Sequence, residues 1–330
     1  MDNTIEDAIE RDWKALSEVE RNSTSLEQFT SKWLNELVDE GLPHFMNDFT
    51  RAALESEKRR NTIAEDIKQK WEVSRSSLLA FIEYCAEVGE RAFDTDTLDA
   101  LQYVMRKCHA KALQITREIM LLLDNGYPDA AMARWRTLHE VNVVSAFVKK
   151  HGLECATRFI HHQEIDRLKF LRKHKECSEE LDWTPVLEAN IEAQEKVQEE
   201  LVELYGKSFK TPYGWAEAFT NHPAPNFATL SVNAGYGNWT SLYKASSYSI
   251  HSSYTGLVGF SVNPDLDENT WFVGQSSNGL SNPAQLLAIS FSQVTVRTIS
   301  LEQSSEKLPD LIALSRLLSE VTESLKAELR

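Results

Sequence analysis

What most constrains this chain is a pair of long apolar stripes separated by one strong break. Leu98, Leu101, Met105, Cys108, Ala112, Ile115, Ile119 and Leu122 recur at alternating three- and four-residue steps, the pattern of one buried face on an α-helix. Asp124-Asn-Gly-Tyr-Pro128 interrupts it, because Asn-Gly favours a turn and Pro is tolerated only in the first turn of the helix that follows. The pattern resumes from Ala130 to Lys150 and stops at His151-Gly152. Two helices joined by so short a connection form an antiparallel hairpin. Asp96 is the expected N-cap of the first. Two more amphipathic helices, about residues 153–177 and 185–205, follow to cover the hairpin.

The rest of the chain is also helical in pattern. Twelve Gly and nine Pro in 330 residues leave few breaks, which favours long helices. Before Phe93, Trp13, Leu16, Val19, then Phe29, Trp33, Leu37, then Ile63, Ile67, Trp71 mark helical faces. Thr24 with Glu27 and Thr62 with Glu65 have the spacing of capping boxes at two helix starts. The run Glu57-Lys-Arg-Arg60 reads as a solvated helix face. After Gly206 charges thin out and aromatics rise; a helix is expected over Leu242–Val258, a loop over Asn263–Ser281, a helix from an Asn282 cap through Pro283 to Leu301, and a last one over Leu308–Leu329. The expected fold is all-α, a helical bundle. Its divisions are an N-terminal helical region (1–93), a helical core (94–262), and a loop plus C-terminal helices (263–330).

A net charge of −15 and a pI near 5.1 oppose non-specific binding to nucleic acid or anionic membrane. RNA would need a local patch, and Arg158, Arg167, Lys169, Arg172 and Lys173, with His174 and Lys175, provide one. The same residues could equally be a solvated face balanced by the acidic stretch Glu188–Glu203. No apolar run is long enough for a membrane span. The first residues are acidic where a signal peptide would be basic, and Cys85, Cys108, Cys155 and Cys177 are widely spaced, so a cytoplasmic protein with reduced thiols is expected. There is no Gly-rich phosphate loop and no dinucleotide fingerprint, and no cofactor is expected.

Two constellations could carry chemistry. In Arg134-Trp-Arg136-Thr-Leu-His139-Glu140, the last three charged or titratable residues fall within an arc of about 100° on a helix, whereas Arg134 points about 140° from His139. An imidazole suits proton transfer and a guanidinium suits a phosphate. The alternative is an Arg136–Glu140 ion pair with His139 hydrogen-bonded in a helix interface. The second constellation is Tyr243-Lys244-Ala-Ser246-Ser247-Tyr248-Ser-Ile-His251. Ser247 and His251 can meet on one face, though small hydroxyl residues equally permit close helix packing. His161-His162 with Glu164 and Asp166, and His174 with Cys177, lack the spacing of known zinc motifs, so no metal is expected.

These residues carry a resemblance. Arg117-Glu-Ile119 leading to Leu123-Asp-Asn-Gly126, the string Arg136-Thr-Leu-His-Glu140, Tyr213-Gly-Trp215-Ala216 and Tyr243-Lys-Ala-Ser246 with His251-Ser252 resemble a bacterial all-helical domain-of-unknown-function family over about residues 95–260. The hairpin in turn looks like the HEPN (higher eukaryote and prokaryote nucleotide-binding) superfamily, many of whose members are metal-independent ribonucleases of toxin and phage-defence systems. Their signature is an Arg, four to six residues, then a His; Arg134 and His139 match, with Trp135 where a polar residue is usual. The resemblance implies an endoribonuclease in which His139 or His251 is the base, Arg134 or Arg136 steadies the phosphate with Glu140 beside it, and Tyr243, Lys244, Ser247 and Trp215 contact substrate. It also implies a homodimer, for which the charge-poor stretch Tyr236–Phe260 is the expected interface. The competing expectation is a catalytically silent helical module that binds a protein or a small anion; a metal-dependent hydrolase built on His161 and His162 is a third.

Overall fold

The structure, a computed structural model, describes residues 5–92, 97–248, 250, 251, 254, 256, 273–301 and 305–329. Among them there is no strand. The chain divides into two compact units, Met1–Ile63 and Ala64–Arg330.

The first unit holds α1 (Ile5–Ala15), α2 (Glu18–Ser23) and α3 (Leu26–Lys70) as far as Ile63. Trp13 and Phe29 pack with ring centroids 5.2 Å apart, and the Trp33 indole donates to Asp12 at 2.9 Å. The expected Thr24–Glu27 box lies one residue later. Thr24 closes α2, and Ser25 and Gln28 exchange the capping bonds. Thr62 and Glu65 do not begin a helix; they lie inside α3, where the Thr62 hydroxyl donates back to the Lys58 carbonyl. Capping-box spacing recurs in continuous helix, and a hydroxyl can be satisfied by the preceding turn instead. Along α3, Leu42, Phe45, Met46 and Phe49 are exposed.

The second unit begins at Ala64 rather than near residue 94. Ile67, Trp71, Leu78, Phe81, Ile82, Cys85 and Val88 all enter its core, which ties the end of α3 and all of α4 (Glu72–Arg91) to the hairpin. The hairpin is α5 (Ala100–Asp124) and α6 (Pro128–Cys177). Asp99 caps α5 in a reciprocal box with Gln102; the expected cap, Asp96, is outside the described residues. The turn needs a left-handed residue, supplied by Gly126 at φ 72°. The expected stop at Gly152 is a kink within α6, at φ 77° and ψ −155°.

Covering elements follow: α7 (Glu188–Tyr205), α8 (Phe227–Asn233), α9 (Thr240–Tyr248), α10 (Ser281–Ile299) and α11 (Leu308–Glu328). The helix expected over Leu242–Val258 is seen as α9 as far as Tyr248; beyond it residues 249, 252, 253, 255 and 257–260 are outside the described residues, as are 263–272 of the expected loop. Asn282 is not a cap, because α10 starts at Ser281 and takes Asn282 and Pro283 into its first turn. Trp135 of α6 is buried and donates to Ser290 of α10 at 3.0 Å, and Arg75 grips Asp124 with two bonds of 2.7 Å. Burying each large core side chain contributes roughly 1.5–3 kcal/mol. A second cluster joins Val143, Phe147 and Ile165 of α6 to Leu201, Phe209 and Trp215. The Tyr213-Gly-Trp215-Ala216 string belongs here. A Cβ at Gly214 would lie 2.4 Å from the Ser208 carbonyl oxygen, so only glycine lets the two short turns, Lys207–Lys210 and Gly214–Phe219, meet while Trp215 and Ala216 are buried.

Candidate functional site

The first half of α6 and the short α9 do pack together, and the contact is an Arg–Tyr–Glu network. Arg136 donates from Nη2 to the Tyr243 hydroxyl at 2.8 Å and from Nη1 to Ser247 Oγ at 3.1 Å. Its Nε reaches Glu140 at 3.3 Å, one helical turn away. Tyr243 in turn donates to Glu140 at 2.6 Å, and the guanidinium lies 4.5 Å from the Tyr243 ring centroid. Burial, and then the hydrogen bond to Glu140, push the Tyr243 phenol up to about 12. A phenol so held is a neutral donor at physiological pH, and each of its neighbours is satisfied.

His139 lies one residue before Glu140 but faces elsewhere. Its side chain is 1% exposed and sits among Trp135, Phe227, Tyr236, Trp239 and Tyr243, with ring centroids 5.3–6.2 Å away. Its Nδ1 has no hydrogen-bond partner among the described residues. Burial drives its pKa down to about 4, so the ring is neutral. His251 is exposed, with its backbone N–H bonded to the Ser247 carbonyl. Among the described residues, the ring contacts of His139 are to Trp135, Phe227, Tyr236, Trp239 and Tyr243 and do not include His251. Arg134 turns away from both, to Glu118 of α5 and to Thr137, as its angular position on the helix requires. Lys244 is exposed. Trp215 is buried 5.5 Å from Phe147 and 4.8 Å from Phe159.

The basic stretch is not a single patch. Arg158 is 6% exposed; it is stacked on Tyr205 and donates to the Trp215 carbonyl. This corrects its place on an RNA-facing surface: the guanidinium is used to tie α6 to the second core. Arg167, Lys169, Arg172 and Lys173 are exposed and pair with Glu164, Asp166, Glu195 and Glu176. His161, His162 and His174 bond to Tyr205, the Thr211 carbonyl and the Thr184 carbonyl respectively.

A cleft of about 720 Å³ opens between α5 and both halves of α6. Val104, Val141, Val144, Phe159, Ile160 and Trp215 give it apolar walls, and Thr137, Glu140 and Tyr213 bring it to the edge of the Arg136 network. Lys107 and Lys111 stand on its α5 rim. Lys107 lies over the Tyr103 ring and Lys111 reaches Gln114; among the described residues neither has a carboxylate partner. These two lysines, and Trp239 and Phe227 around His139, lie outside the residues expected from the sequence. The lysines carried a readable signal, two cations one turn apart beside the apolar stripe of α5. The rings did not, because they come from separate short elements.

Fold and site together define an all-helical bundle with a buried aromatic–imidazole cluster, an internal Arg–Tyr–Glu network and an apolar cleft. The chain belongs to a family of unknown function (DUF5677), whose model matches residues 102–269, half of the chain. The match takes in Arg136, His139, Trp215 and Tyr243 and stops before α10 and α11. No curated protein and no solved structure matches the chain. No helix among the described residues is long and apolar enough to cross a membrane.

Proposed function

We propose that this chain is a catalytically silent, all-helical binding module whose ligand is a small anion with an apolar body, held in the cleft between α5 and α6. The observation that carries this reading is the sealing of His139. A general base must come within hydrogen-bond reach of the proton it takes, and this imidazole is 1% exposed among five aromatic rings. Arg136 has its donors turned inward to Tyr243, Ser247 and Glu140. The Arg-Thr-Leu-His-Glu string then fixes how α6 and α9 meet, as buried polar networks do. The cleft supports the binding half of the reading: its apolar walls suit a ligand body, and Lys107 and Lys111 suit an anionic head.

The competing reading, an HEPN-like metal-independent ribonuclease or toxin-type effector, makes a different forecast. Purified protein incubated with structured RNA in EDTA should leave the RNA intact. Cleavage to 2′,3′-cyclic ends that His139→Ala abolishes without lowering the melting temperature would overturn the silent-module reading. Decanoate should raise the melting temperature where neutral decanol does not, and Lys107→Glu with Lys111→Glu should remove the effect.

The module is proposed to be a homodimer, and the exposed row Leu42, Phe45, Met46 and Phe49 on α3 favours that face as the contact. The stretch expected to serve, Tyr236–Phe260, begins with a tyrosine that is 6% exposed and packed on His139.

A further inference from the structure

A second concavity, about 550 Å³, lies on another face of α6, bounded by α10 and the turn Ala234–Trp239. Among the described residues, Lys149, Lys150 and Arg297 line it and no carboxylate does. In a chain with fifty acidic residues and a net charge of −15, three cations gathered without an acid are a marked local reversal.

Among the described residues, every acceptor these cations have is neutral. Arg297 Nη1 donates to Asn142 Oδ1 at 2.7 Å and to Ser145 Oγ at 3.1 Å, and Nη2 donates to the Tyr236 hydroxyl. Lys149 donates to the carbonyls of Arg297 and Ser300, both at 3.1 Å, and to the Ser300 hydroxyl, so it caps the C-terminus of α10. Lys150 donates to the carbonyl and side-chain oxygens of Asn233 at 2.6 and 3.1 Å. Among the described residues none of the three has an ion-pair partner. Burial brings the guanidinium of Arg297 down to about 10; burial and the nearby Arg297 lower Lys149. Arg297 remains cationic at neutral pH. Half-buried like charges without a counter-charge are unfavourable, and a bound anion relieves them.

The donors left over say where that anion sits. Among the described residues, the Arg297 Nε hydrogen, one Nη2 hydrogen and one Lys150 ammonium hydrogen have no acceptor. These belong to a planar fork and a point charge, the pair best suited to a phosphoryl group. A monoester phosphate carries nearly two negative charges at neutral pH, closer to this cluster than a carboxylate would be. The cavity is larger than a phosphoryl group needs, within the range that holds small molecules. Its remaining wall is Tyr236, Trp239 and Gly235. Gly235 has φ 87°, and a Cβ there would meet nothing within 4 Å, so the turn leaves that space open.

We propose that this cavity binds a phosphate monoester, with the phosphoryl group between Lys150 and Arg297 and the ester body against Trp239 and Tyr236. The proposal goes beyond the module reading and uses no residue of the α5–α6 cleft.

The test is thermal shift and tryptophan emission of the full chain with AMP, inorganic phosphate or adenosine, in chloride of matched ionic strength. AMP should raise the melting temperature and bind more tightly than phosphate, and adenosine should have no effect. Lys150→Gln, an exposed site, should weaken AMP about tenfold, whereas Lys173→Gln, a remote exposed lysine, should not. Absence of any shift with AMP and phosphate, or equal AMP affinity in Lys150→Gln and the parent, would overturn the site. Equal affinity for phosphate and AMP would overturn the ester body, and adenosine binding as well as AMP would overturn the phosphoryl contact. RNA cleavage in EDTA would end the silent-module reading and leave these outcomes unaffected.

Discussion

The imidazole of His139 lies along the indole of Trp239, with ring centroids 5.6 Å apart and planes 19° from parallel. A second indole, Trp135, lies 5.3 Å away. With Nδ1 unpartnered, this histidine behaves as one more aromatic ring of the core. Truncating it should therefore act like any large-to-small core change. His139→Ala should lower unfolding stability by about 2–4 kcal/mol, measured by urea titration. A loss below the error of the titration would mean the ring is not part of the packing.

Burial also makes stability depend on acidity. His109 and His139 are both driven from 6.5 to about 4 by burial. As pH falls below 6.5 the unfolded chain takes up protons that the folded chain refuses until about pH 4, so stability is lost as pH falls through that window. The full loss is at most roughly 3 kcal/mol for each ring. Urea midpoints at pH 7 and pH 5 measure the effect; His139→Ala should reduce the slope, and equal midpoints in the parent would contradict both assignments.

Gly89 and His109 mark a close crossing of α4 and α5. A Cβ at Gly89 would lie 2.1 Å from the His109 ring, which also bonds the Thr295 hydroxyl at 3.2 Å. Gly89→Ala should cost about 1–3 kcal/mol by overpacking. Adding His109→Ala should recover part of that loss, and additive effects would show the two sites to be uncoupled.

Arg136 and Tyr243 should be energetically coupled. A double-mutant cycle of Arg136→Met and Tyr243→Phe is expected to give an interaction of about 0.5–3 kcal/mol. A value indistinguishable from zero would remove the network's claim to fix the α6–α9 contact.

Self-association is expected through α3. Phe45→Glu with Phe49→Glu should shift the light-scattering mass from dimer to monomer at micromolar concentration. A monomeric parent protein would refute the homodimer.

The hairpin was fully legible in the sequence because its information is local: an unbroken three-and-four stripe, an Asn-Gly stop and a Pro start. Gly152 was legible for the same reason. The helix starts at Thr24 and Thr62 were misread because a capping box and a hydroxyl bonded to the previous turn share one spacing. The Arg136–Glu140 pair followed from helix geometry, and so did the divergence of Arg134 from His139. What turned His139 inward was not readable, since Phe227, Tyr236 and Trp239 come from short elements some ninety residues later. The Lys149–Arg297 pair is still less local. Its two members are half the chain apart and each looks ordinary in its own helix.

The closed ring of aromatics around His139 turns this side chain into a timer. At 1% exposure the imidazole is expected to meet a proton chiefly when a neighbour such as Trp239 or Tyr243 swings aside. After a rapid drop to below pH 4, where the folded imidazole takes up its proton, the molecule should therefore show no immediate change in its Trp135 and Trp239 emission. Any slow quenching that follows would count individual openings of the α6–α9 contact, a frequency set by local unfolding and not by proton diffusion.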